Sequence, residues 1–168
     1  MKTSHLMFTI SAALLVLTAS STLAEEGRQV AFMTSSKTYV SSEKGGILST
    51  KGKSAGKTET FKLFDANGGE LADGDAVKIR AGKTTFWSER PGGEIARIQK
   101  ADATCTFVVK KQGEGITLKT AGGKFVVAAG TGLGTTDQEA QALVLQVVPV
   151  TTAEAKSAES PAKETNEQ

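Results

Sequence analysis

Histidine is almost missing from this chain of 168 residues: the one copy is His5. If the segment that holds it is removed, no imidazole remains, which excludes Ser-His-Asp and Cys-His catalysis and any His-liganded zinc or copper site. Cysteine is equally scarce. Cys105 is the only one, so no intrachain disulfide forms and the fold must rest on its apolar core. Its flanks, Ala103-Thr104-Cys105-Thr106-Phe107-Val108-Val109, set it at the entrance to an apolar strand, where it is expected to be buried as a small hydrophobe. Aromatic residues make up 5% of the chain, with Trp87 the single tryptophan. Helical signals are nearly absent after the first segment, and nothing in the sequence calls for a metal or an organic cofactor.

What is present begins with a basic start at Lys2, an apolar run from Leu6 to Leu17 and small residues ending at Ala24, followed by Glu25 and Glu26. That order predicts a secretory signal peptide over residues 1–24, cleaved after Ala24. An uncleaved anchor fits less well, because Thr9 and Ser11 interrupt a run shorter than the roughly 20 residues that span a bilayer. The expected location is therefore secreted or periplasmic, in either case extracytoplasmic, with no transmembrane segment after cleavage. At the other end, residues 151–168 contain no apolar side chain larger than Ala or Pro. Such a stretch buries too little surface to offset its ordering entropy, and a disordered tail is expected there.

Between Gly27 and Val150, 17 Lys and Arg face 12 Asp and Glu, a net charge of +5. The excess is densest from Lys37 to Lys62, where Lys51, Lys53 and Lys57 form the centre of a basic stretch. Such a patch attracts acidic glycans or nucleic acid, although scattered lysines are also an ordinary solvated surface. Export argues against nucleic acid as the partner.

Gly, Thr, Val and Phe are abundant, and short alternating runs recur between Gly-rich or Lys-rich turns, an all-β pattern. Laid against itself, the chain shows three equivalent stretches. Val30, Phe32 and Tyr39 have the spacing of Val77, Ile79 and Phe86, and of Ile116, Leu118 and Phe125. Each copy continues with an apolar residue (Leu48, Ile95, Leu133) and then a pair two apart (Phe61 and Leu63, Phe107 and Val109, Leu143 and Leu145). Residues two apart on a strand share a face, so these eighteen positions are expected to fill one core. Three units of four strands over residues 27–150 predict a single β-trefoil domain with pseudo-threefold symmetry, in which Phe32, Ile79 and Leu118 are counterparts. A three-bladed array falls below the usual four to eight propeller blades, and an ordinary sandwich offers no reason for a threefold spacing.

The run Lys37-Thr38-Tyr39-Val40-Ser41-Ser42-Glu43-Lys44-Gly45-Gly46 resembles the Gly-Lys-Tyr-Leu-Ser-Ala-Glu segment that opens fascin-like trefoil repeats. Ala121-Gly122-Gly123-Lys124-Phe125-Val126-Val127-Ala128 is similar to the same segment in the third copy. Thr58-Glu59-Thr60-Phe61-Lys62-Leu63 resembles the strand that closes such a repeat. The resemblance covers about residues 28–149. It implies a fascin-like, actin-crosslinking-type β-trefoil in single copy and a non-enzymatic role, either as a recognition module for a surface glycan or protein or as a structural element. The Gln-x-Trp triplets of ricin-type lectins and the disulfides of Kunitz-type inhibitors are missing, and a monomer is expected.

Trp87 follows the aromatic position expected to point inward, so alternation predicts an outward indole. Beside Arg90 it would stack on a sugar ring, unless it packs under the Arg90-Pro91-Gly92-Gly93 turn. Trp87, Arg90, Lys51, Lys53 and Lys57 are thus the candidate ligand-binding residues. Glu70, Asp73 and Asp75, and Asp137 with Glu139, are the nearest approach to paired catalytic carboxylates, and Asp73 with Asp75 to a calcium site. Their Gly- and Thr-rich settings suit turns equally well. Gly130-Thr131-Gly132-Leu133-Gly134 lacks the Lys-Ser/Thr of a phosphate loop and is expected to be a hairpin turn.

Overall fold

The computed structural model describes residues 27–151, so the expected signal segment and, apart from Thr151, the expected tail lie outside the described residues. Twelve strands follow one another: β1 Arg28–Thr34, β2 Tyr39–Ser42, β3 Leu48–Gly52, β4 Thr60–Asp65, β5 Ala76–Ala81, β6 Thr85–Glu89, β7 Glu94–Ile98, β8 Thr106–Gln112, β9 Gly115–Thr120, β10 Phe125–Ala129, β11 Gly132–Thr136 and β12 Leu145–Pro149. The fold is all-β. Three 3-10 turns, Lys44–Gly46, Ala103–Cys105 and Glu139–Gln141, are the only helical elements among the described residues. None falls within the aligned segments 30–39, 77–86 and 116–125. No helix among them is long and apolar enough to cross a membrane.

Six strands pair antiparallel in a closed cycle, β1 with β4, β4 with β5, β5 with β8, β8 with β9, β9 with β12, and β12 back to β1. The other six form three hairpins, β2–β3, β6–β7 and β10–β11. These meet one another through Gly132 opposite Ser49, Leu133 opposite Ile95, and the isolated bridge Ile47 to Ala96. Closing the cycle leaves its six strands without a free edge.

The turns that follow β1 and β9 are built alike. Between β9 and β10, Gly123 donates its N–H to the Thr120 carbonyl and has φ 86°, and between β1 and β2 Lys37 donates to the Thr34 carbonyl at φ 61°. Lys37 is the only non-glycine residue with a positive φ among the described residues. It occupies the left-handed position that glycine fills in the third copy.

The core contains the expected counterparts. Phe32, Ile79 and Leu118 are each 0% exposed and belong to one cluster, with Val30, Val77, Ile116, Leu48, Ile95, Leu133, Phe61, Leu63, Phe107, Val109 and Leu145. Leu143 packs against it, partly buried. One class of position is corrected. Tyr39 and Phe86 are only half-buried, and Phe125, though 7% exposed, stands outside the central cluster, where the next residues along, Val40, Trp87 and Val126, are each 0% exposed. Register supplies the reason. Tyr39 lies opposite Met33, Phe86 opposite Arg80 and Phe125 opposite Lys119, and directly opposed residues share a face. Met33, Arg80 and Lys119 alternate with the inward residues of their strands, so the aromatics lie on the outer face with them.

Trp87 is the largest fully buried side chain. Its indole lies 5.2 Å from the Phe32 ring and 5.1 Å from the Phe61 ring, the latter edge-on at 84°. Its Nε1–H has no acceptor, a cost of about 1–3 kcal/mol that the packing of the three rings must exceed. Replacing Trp87 by Ala is therefore expected to lower unfolding stability by about 3–5 kcal/mol in urea titrations. A loss below about 1 kcal/mol would place the indole outside the core.

Candidate functional site

The outward indole expected of Trp87 is corrected by the same burial: at 0% exposure it offers no face to a ligand. Arg90 is separated from it in role. In the turn after β6 its guanidinium donates to the Arg97 carbonyl at 3.3 Å and sits 3.8 Å from Glu94, while its backbone N–H binds the Glu94 carbonyl. It lines an open cleft of about 580 Å³ with Glu89, Pro91, Gly93, Thr104 and Lys124. Exposed, with its charge half-matched by Glu94, Arg90 braces the turn.

The three candidate lysines also part company. Lys51 lies on β3, and Lys53 and Lys57 lie in the connection to β4, all exposed. Lys57 reaches a shallow groove of about 250 Å³ lined by Gln29, Lys57, Thr60, Phe61, Lys62, Arg80 and Gly82. None of these lining residues is acidic. Neighbouring strands put Gln29 opposite Lys62, Lys62 opposite Arg80, and Arg80 opposite Phe86. The four side chains thus form a row across the outer face of β1, β4, β5 and β6, each step about 4.8 Å.

The two cations of this row share an aromatic base. Arg80 lies 5.1 Å and the Lys62 ammonium 5.6 Å from the centre of the Phe64 ring, which stands 6.3 Å from Phe86. Stacking on a ring orients a guanidinium without consuming its donors. Accordingly, among the described residues Arg80 has no ion pair or side-chain hydrogen bond, and its Nε is buried without an acceptor. In sequence, Lys62 and Arg80 were only the polar members of alternating strands. Strand pairing, which short-range pattern does not reveal, makes them neighbours.

The carboxylates have structural tasks. Asp75, 7% exposed, accepts the Ala72 N–H at 2.6 Å and the Asn67 side-chain amide at 2.9 Å. Those two hydrogen bonds, the Ala72 bond first, hold its pKa below the ordinary 3.8. Asp73 accepts the Lys111 N–H at 2.8 Å. The Asp75 bonds brace the β4–β5 connection internally and the Asp73 bond ties it to β8, and together they occupy oxygens that acid–base work would need. Glu139 pairs with Lys110. Asp102 caps the turn before β8 by accepting from Thr104, whose bonds hold its pKa low as well. Cys105, 0% exposed, has its thiol pKa raised, first by burial, which disfavours the reactive thiolate. No group of three metal-ligating side chains is gathered among the described residues. Gly130 and Thr131 form the two-residue turn between Ala129 and Gly132, a hairpin tip as expected.

No protein-family model matches the chain, and no curated protein matches it significantly.

Asp75 and Asp102 set an acid limit. Their native pKa values lie below the unfolded value, so the stability they contribute is fully present above about pH 5 and is lost as pH falls through their native pKa values. In thermal melts between pH 6 and pH 2, the chain is expected to lose stability toward acid, and Asp75→Asn is expected to flatten that slope. An unchanged slope in the variant would remove Asp75 from this role.

Proposed function

We propose that this chain is an exported, non-enzymatic recognition module of β-trefoil architecture, related to the fascin-type trefoils, that binds a surface glycan or protein through the groove on the outer face of β1, β4 and β5. The architecture is supported by a closed cycle of six strands joined to three hairpins, and by three sets of core residues spaced alike along the chain. Export rests on the pattern of residues 1–24.

The observation that carries the binding reading is the groove itself, where Lys57, Lys62 and Arg80 line one concavity without an acidic neighbour in its wall. Like charges gathered on rigid strands cost the isolated molecule self-repulsion, and a partner of opposite charge relieves it. The strands hold Lys62 and Arg80 in place before the partner arrives, so little ordering of these two is required on binding.

The full-length chain, labelled after processing by the cell that produces it, is expected to bind that cell's surface saturably. The double substitution Lys57→Glu, Lys62→Glu is expected to weaken this binding by at least about tenfold, a loss of roughly 1.4 kcal/mol. Equal binding by the variant would contradict the assignment of the groove, and absence of binding by the unmodified chain would contradict the recognition role.

A further inference from the structure

Resting on that reading, we infer that the groove is an oxyanion site for an acidic glycan, with the sulfate ester or carboxylate of one sugar held between Arg80 and Lys62. Two features converge there. Arg80 is a half-buried arginine whose side-chain donors find no acceptor among the described residues. Its planar fork matches the geometry of sulfate and carboxylate. Its guanidinium carbon lies 5.1 Å from the centre of the Phe64 ring, and among the described residues no carboxylate pairs with it to compete with an incoming anion.

The row extends the site beyond a single anion. Gln29, at one end, carries an amide able both to donate to and to accept from sugar hydroxyls. Phe86, at the other, is a partly exposed ring of the kind that packs on the apolar face of a sugar. Three strand spacings separate the ends, about 14 Å, the reach of a short oligosaccharide. Lys57 reaches in from the β3–β4 connection and adds a mobile charge at the rim. A free inorganic ion would use only the two central cations, leaving the amide and the ring idle. The row as a whole fits a polymer with alternating polar, charged and apolar features.

Binding of the full-length chain to immobilised dextran sulfate and polygalacturonate tests this, with neutral dextran, a single-stranded oligonucleotide and inorganic sulfate as comparisons. At least one acidic polysaccharide is expected to bind, with neutral dextran inert. Arg80→Gln and Lys62→Gln are each expected to weaken that binding about tenfold, and Arg80→Lys to lose part of it because the charge remains and the fork does not. Lys53→Gln removes one charge outside the groove and is expected to change affinity less than twofold. Thermal melts accompany each variant, and if Arg80→Gln fails to fold, Lys62→Gln and Lys57→Gln decide the matter.

Equal losses for Lys53→Gln and Lys62→Gln would overturn the site in favour of diffuse charge attraction. Binding of the oligonucleotide as tightly as the polysaccharide, or competition by inorganic sulfate at the same sulfate-group concentration, would overturn the glycan assignment. If the unmodified chain binds its own cell surface but no acidic polysaccharide, this inference fails while the recognition role stands. Loss of cell-surface binding altogether ends both.

Discussion

Six strands that close on themselves impose one constraint on everything else: all their inward side chains must share a single interior. The pairing of β12 with β1 completes that cycle, from Val30 opposite Pro149 to Thr34 opposite Leu145. With a lone buried cysteine and no cluster of metal ligands among the described residues, apolar packing holds the cycle together. The largest share falls to Trp87, Phe32 and Phe61, which come from β6, β1 and β4 and meet within 6 Å of one another. An aromatic trio drawn from two of the three repeated units couples those units directly. Its unsatisfied indole N–H is tolerated because the rings supply burial that no smaller residue could.

Much of this arrangement was legible beforehand, and the reason is periodicity. Alternation along β1, β5 and β9 put Val30 and Phe32, Val77 and Ile79, and Ile116 and Leu118 on one face, and all six are in the core. The hairpin partners were harder to read. An aromatic residue at a constant spacing drew attention to Tyr39, Phe86 and Phe125, yet the face on which a second strand points depends on the turn that precedes it. With Met33 opposite Tyr39, Arg80 opposite Phe86 and Lys119 opposite Phe125, the aromatics are outward and the following residues fall inward. A shift of one residue reverses a strand completely, and it turned Trp87 from a candidate ligand platform into the largest residue of the core.

The same shift redirects attention to the outer face. Aromatics on the outer side of the strands are buried beneath cations: Lys119 over Phe125, and Arg80 and Lys62 over Phe64, whose neighbour is Phe86. The basic stretch between Lys37 and Lys62 was visible in the sequence, but its density along the chain was a poor guide to density in space. Lys51 and Lys53 remain scattered, whereas Lys57 joins Lys62 and Arg80, residues from different strands. Carboxylates tell the complementary story. Asp75 and Asp102 are spent on backbone N–H groups of their own connections and Asp73 on that of Lys111 on β8, which stiffens those connections, and none of the three lies in the groove wall.

The account depends on closure making the three repeated units a single cooperative structure. Native-state hydrogen exchange, resolved by residue, measures this directly. Amides bonded between β1 and β12, β4 and β5, and β8 and β9 are predicted to exchange with one common opening free energy equal to that of global unfolding. Exchange of any one pair at a distinctly lower free energy, with the other two still protected, would show a unit that opens by itself and would contradict the shared interior.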